Sequence, residues 1–499
     1  MKSAIFTILS LSMISLFILI GKGALNITKI SNPRNFKAVF PIHSLRPGPE
    51  LIDPQNTNTV WEYYLLENLS CGLIRDSKNS TTGYEGCIAD RFYRSDPNTW
   101  IFILRNLRWS DNSSITKFEI EEWLNNLKSK QSRHIQFLKT ADEIEYDENS
   151  RELKIHFPTT GNEAVLHELS LADASLYPSD YAQNGWKKTV GPYSVKSWSK
   201  GENKLILEAN PNSPLYNKNM PQVVEAGSLI ESDDMSRLFS KSHFDLVPLN
   251  AMSDSKTTSE LIAGAPQIYN CHPTTLLYFN LNKANKLTDN LEARRAFAEI
   301  IQLIQNDYSI YHEPNSALKI ENQMIPEGFQ GRTAKRSQLK VKTNGALSNT
   351  KLRINLLPFL QKNQKLISVI TEAFHKSGVN LEIQYSKSLA LGDSFGGMTT
   401  FVGNQLDPSG SWSFLLYSAH RSLHPWLPNL EYSLRSPPVG LSQDDRQKFY
   451  LRLHEQVLNN YFVVPFLMGE ERYLFSDRVD ASGWNRFDAR VRFYELKMK

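Results

Sequence analysis

The chain has 499 residues, 40% hydrophobic and 22% charged, with 24 glycines and 24 prolines. That is ample for two or more buried cores and marks a soluble, globular protein. The formal charge of +4 falls to +2 once Lys2 and Lys22 are set aside, too weak a balance for nucleic acid or an acidic surface as the partner.

Met1-Lys2 supplies a small positive head, Ala4 to Ile20 is almost wholly apolar, and Gly21-Lys22-Gly23 offers small residues for cleavage after Gly23. Residues 1–23 therefore read as a secretory signal peptide. The apolar run sits near the lower length limit for spanning, which disfavours the alternative of an uncleaved anchor. No cysteine lies near the cleavage position to take a lipid, so a soluble periplasmic product is expected. Next, VWEYYLLENL (60–69) reads as a helix, and YEGCIADRFYR and TWIFILRNLRWS (99–110) read as strands. Thr116 starts a helix with Glu119 as capping-box partner, and Phe118, Trp123 and Leu127 supply its apolar positions. Residues 191–213 read as two strands joined by Lys200-Gly201-Glu202-Asn203. TLLYFNLN (275–282) is a strand and 291–307 a helix. KLRINLLP, a helix through Leu366 to His375, and VNLEIQY form a β-α-β unit. A helix over 444–460 precedes the strand region YFVVPFLMGEERYLF. Strands and helices alternate throughout, so the class is α/β or mixed.

Few residues invite chemistry. Cys71 and Cys87 could close a short loop in an oxidising compartment, leaving Cys271 over; three buried thiols is the other reading. No CxxC or matched histidine pair supports a metal, and no cofactor is expected. Gly392-Asp393-Ser394-Phe395-Gly396 matches G-x-S-x-G, but a nucleophile elbow needs a helix straight after the serine. Here a strand, GMTTFVG, follows. The pattern fits a glycine-rich turn better than a hydrolase, and no enzyme is expected.

Six segments in register resemble the extracellular solute-binding proteins of the oligopeptide- and dipeptide-binding type, family 5, which serve ATP-driven importers. They are IDPQNTNTVWEYYLLENLSCGLI, TWIFILRNLRWSDNSSITKFEIEEWL, GPYSVKSWSKGENKLILEANPNSPLY, TLLYFNLN with LEARRAFAEII, the run from Ser394 through Pro408, and FVVPFLMGEERYLFSDRVDASGW. The resemblance runs from about residue 37 to the C-terminus. It implies an α/β, two-lobed periplasmic-binding-protein fold of the class II, cluster C type, with the ligand enclosed between lobes. Residues 24–272 with 472–499 would form one lobe and 273–471 the other, with the chain crossing near Cys271–Tyr278 and Arg472–Asp480.

The resemblance also implies a site. The strand ending in FVGNQLDP would run beside an extended ligand, with Met398, Thr399, Thr400 and Val402 offering backbone groups. Where peptide-binding relatives carry an aspartate for the ligand's α-ammonium, this chain has Asn404, while Asp407-Pro408 keep the second half of the motif. An amide offers an acceptor but no charge, and burying an ammonium without a counter-ion is costly. Glu62 is the candidate substitute; a solvated helix carboxylate is the other reading. Phe401 and Trp412 could pack on the ligand, as could Tyr417 and Trp426, against the alternative of core packing. The expected protein is a monomeric periplasmic receptor that captures peptides and delivers them to an inner-membrane ABC permease. Alternatives keep the fold but change the solute, to an oligosaccharide or an amine-blocked or modified peptide, or make the protein a ligand sensor.

Overall fold

The computed structural model describes residues 35–42, 45, 52–54, 57, 60–77, 83–129, 135, 137–158, 164–228, 244–249, 255–271, 275–307, 318–325, 332, 345–386, 392–402, 426, 443–484 and 490–499. Strand-forming segments gather into two large sheets, each with its own core. The first sheet has seven strands in the order Gln267–Asn270, Arg472–Phe475, Leu246–Leu249, Asn35–Val39, Val223–Gly227, Lys204–Ala209 and Tyr193–Ser199. Asn35–Val39 is parallel to both of its neighbours, and every other pairing is antiparallel. A four-stranded antiparallel sheet (Ala89–Asp96, Thr99–Leu104, Glu152–His156, Glu143–Asp147) shares this lobe. One continuous apolar cluster joins the two sheets, with Phe36, Leu69, Phe102, Trp109, Trp186, Tyr193 and Phe493 all buried.

The second sheet runs Leu318–Ile320, Val463–Gly469, Thr275–Leu281, Gly396–Val402, Lys351–Leu356, Asn380–Tyr385. Val463–Gly469 is buried at all seven positions. Its residues belong to clusters on both sheet faces, one with the helix Leu291–Gln305 and the other with the helix Gln443–Asn459. That explains its unbroken apolar run, since only a half-exposed strand must alternate. Leu291–Gln305 buries Ala293, Ala296, Phe297, Ile300, Ile301 and Ile304, a stripe at helical spacing. Asn290 caps it by accepting from the Glu292 N–H at 2.8 Å. The β-α-β unit forms as read: Lys351–Leu356 and Asn380–Tyr385 pair in parallel around the helix Gln364–Lys376.

Two local expectations meet different fates. Thr116 and Glu119 make the reciprocal capping box, with the Thr116 N–H donating to Glu119 at 2.8 Å and the Glu119 N–H to the Thr116 hydroxyl at 3.2 Å. Phe118, however, is 73% exposed. The buried face of Lys117–Ser129 carries Ile120, Trp123, Leu124 and Leu127, and Phe118 lies two residues, about 200°, from Ile120.

Between the described strands, the chain crosses from one sheet to the other twice. It leaves the first sheet after Asn270 and enters the second at Thr275, then returns between Gly469 and Arg472. The crossings run side by side, with the Cys271 N–H donating to Glu471 O at 2.8 Å. Among the described residues no helix is long and apolar enough to cross a membrane.

Candidate functional site

The strand Gly396–Val402 pairs along its whole length with Thr275–Leu281, from Leu281↔Gly396 to Thr275↔Val402. On its other side it meets Lys351–Leu356 only at Ile354↔Gly396 and Asn355↔Gly397. The glycine at 396 suits this tight entry, since an added Cβ would meet Leu281 Cδ2 at 3.0 Å and Asn280 O at 3.1 Å. From Met398 to Val402, that side has no strand partner among the described residues.

Alternation decides which groups the open side presents. The Asn282 N–H donates to Phe395 O and the Leu281 N–H to Phe462 O. Even-numbered residues of Thr275–Leu281 therefore turn toward Gly396–Val402, where they face Gly397, Thr399 and Phe401. The backbone N–H and C=O groups of Met398, Thr400 and Val402 are left pointing outward, spaced as an added strand requires. The Met398 side chain is 6% exposed and packs in the second-lobe core, so only its backbone is available to a ligand. Phe401 and Val402 lie within the strand, and Asn404, Asp407, Trp412 and Tyr417 lie outside the described residues.

Glu62 lies in the first turn of the helix Val60–Leu69, in the other lobe, and is 1% exposed. The side chain is thus buried, which overturns the solvated-carboxylate reading. A carboxylate at this place is favoured by the helix N-terminus. The sequence candidates therefore divide between the lobes, with Met398–Val402 on a strand of one and Glu62 on a helix of the other.

The same helix is fastened by residues that the sequence reading missed. Asn68, fully buried, donates to Val491 O at 2.6 Å and Tyr64 O at 2.8 Å and accepts from the Phe493 N–H at 2.9 Å. Glu67 accepts from Arg490 at 2.8 Å and Arg492 at 3.3 Å, while Asp76 lies 3.1 Å from Arg490. Burial by itself would raise the Asp76 carboxyl. Arg490 and Arg492, helped by His167 and Ser170, outweigh it and hold the group below the usual range. Burial and then Glu67 push the Tyr63 phenol far up, so it stays neutral. These partners are separated by more than 400 residues, and no local pattern could have announced them.

Three further sequence features find structural places. Cys71 and Cys87 are joined, with Cα atoms 6.3 Å apart, and Cys271 is buried outside this disulfide. Ser394 is 1% exposed, its hydroxyl donates to Asn355 Oδ1 at 2.9 Å, and a strand follows it. It is built as a buried brace and not as an exposed elbow. Trp426 stacks on Phe462 with centroids 4.9 Å apart, and Lys283 and Arg294 lie over its ring, so it packs on the protein. No set of three or more metal-ligating side chains gathers among the described residues.

Two sheets with separate cores, joined by adjacent crossings, define the class: a two-lobed α/β fold. Residues 83–317 match the family model for bacterial extracellular solute-binding proteins, family 5 Middle. Over that stretch the chain is similar to this family, whose members bind small solutes and work with ABC permeases. Solved structures agree in fold. Haemophilus influenzae OppA in complex with RPPGFSPFR is 13% identical, with a TM-score of 0.71, covering 93% of this chain and 99% of that one. NikA from Staphylococcus aureus in complex with Ni(L-His)2 is 12% identical, with a TM-score of 0.71 and coverage of 93% and 100%. AgaA from A. tumefaciens R10 in complex with agropinic acid is 15% identical, with a TM-score of 0.67 and coverage of 93% and 99%. None of the curated proteins matches the chain.

Proposed function

We propose that the chain is an exported receptor that captures peptides between its lobes and hands them to an inner-membrane ABC permease. The ligand lobes are taken as residues 24–272 with 472–499, and 273–471; residues 1–23 are the export signal. The observation that carries the peptide reading is the edge at Met398, Thr400 and Val402, which has no strand partner among the described residues. Such an edge binds an extended backbone by adding a strand, and does so with little regard to side-chain sequence. OppA, with RPPGFSPFR bound, shares the fold, but so do proteins holding a nickel complex and agropinic acid. The edge is what favours peptide over those solutes.

Asn404 supports a second reading. The family resemblance puts an amide where peptide-binding relatives place the ammonium's aspartate, so the solute would lack a free amine there. Heat denaturation of the mature protein with mixed peptides, free and N-acetylated, separates the two. Protection by free peptides alone supports Glu62 as the counter-charge. Equal protection by acetylated peptides supports amine-blocked ligands. No protection by either set contradicts the peptide reading.

A further inference from the structure

We infer that the first lobe carries a second ligand site, separate from the interlobe cleft, for a small carboxylate with an apolar or aromatic body. A cavity of about 430 Å³ is lined by Arg75, the loop from Pro214 to Asn217, Gly483, Tyr494, Glu495 and Lys497. Every lining residue comes from first-lobe segments and none from the second sheet, whereas a cleft between lobes draws on both. The volume lies at the low end for small-molecule pockets. It suits an aromatic acid or an amino-acid-sized ligand and is too small for an extended peptide.

The charges point to an anion. Glu495 is already engaged by Arg492 at 3.2 Å, on the side of the buried network. Arg75 pairs with Glu85 through Nη2, while its Nε is buried with no hydrogen-bond partner among the described residues. A buried guanidinium N–H without an acceptor is costly, and one carboxylate oxygen would satisfy it. Lys497 lines the cavity as a second cation, with Asp480 as its cross-strand neighbour. Pro214, Leu215 and the rings of Tyr216 and Tyr494 supply apolar wall. Tyr216 donates to Gln222 Oε1 at 3.2 Å, leaving its oxygen able to accept from a ligand hydroxyl. Burial raises the Tyr494 phenol, which therefore stays a neutral donor.

The test titrates phenylacetate onto the purified full chain, followed by saturation-transfer NMR, with phenylacetamide as the uncharged control. Saturable binding of one equivalent is expected, with the amide weaker by about tenfold or more, the weight of one charge-assisted hydrogen bond. Arg75→Met and Lys497→Met should each weaken phenylacetate by about tenfold, and Leu215→Trp, which fills the cavity, should abolish it. Peptide capture in the cleft should be unchanged in all three, so failure of either site is seen separately. Lys497→Met changes only a rim side chain and keeps a readout even if a wall variant fails to fold. Absence of saturation, equal binding of the amide, or unchanged affinity in Lys497→Met would overturn the inference.

Discussion

At the scale of single residues, the buried polar groups set what the molecule tolerates. Asn68 satisfies the Phe493 N–H and the Val491 carbonyl at once, so Asn68→Ala leaves two buried backbone groups without partners. A loss of about 3 kcal/mol is expected, read as a lower urea midpoint with unchanged slope. Asp76 makes stability depend on pH. Its carboxyl is held below the ordinary value in the folded chain. Its contribution is therefore full above the unfolded carboxylate range and is lost as pH falls through the folded value. Asp76→Asn should flatten that acid limb of the thermal-stability profile; an unchanged limb would refute the assignment. Glu62, buried on the first-lobe helix, carries the proposed counter-charge. Glu62→Gln should weaken free-amine peptides by about tenfold while sparing acetylated ones.

At the scale of elements, the strand Gly396–Val402 gives the sharpest contrast. Thr400 turns its backbone away from the ladder and Thr399 turns toward it. Thr400→Pro should therefore lower peptide affinity by about tenfold with little change in melting, since an edge tolerates a missing N–H. Thr399→Pro should instead lower the melting temperature. Similar outcomes for both would show that the alternation is wrong. The disulfide closes a segment with a sequence separation of 16, and Cys71→Ser with Cys87→Ser should cost about 3 kcal/mol by freeing the unfolded chain. Most of these elements were legible because their signals are local. The capping box at Thr116, the turn at Lys200–Asn203 and the helix over 291–305 each carry their own punctuation. Phe118 was misread because one aromatic residue was counted without following the helical angle to Ile120. The strand edge itself was expected only through family resemblance. That its pairing with Lys351–Leu356 ends at Asn355 depends on how two distant segments meet, which no stretch of sequence states.

At the scale of the whole molecule, two lobes linked by adjacent crossings are suited to closing over a solute, because paired strands bend together at few backbone positions. The fold was readable from six segments in order, whereas the network tying Glu67, Asn68 and Asp76 to Arg490, Val491, Arg492 and Phe493 was not. Its partners come from opposite ends of the chain and meet only in the folded first lobe. The central claim is that the lobes enclose peptide. The most direct measurement is to purify the mature chain from a periplasmic extract, unfold it, and identify the released small molecules by mass spectrometry. The account predicts near-stoichiometric short peptides of mixed sequence; a single non-peptide solute in that place would contradict it.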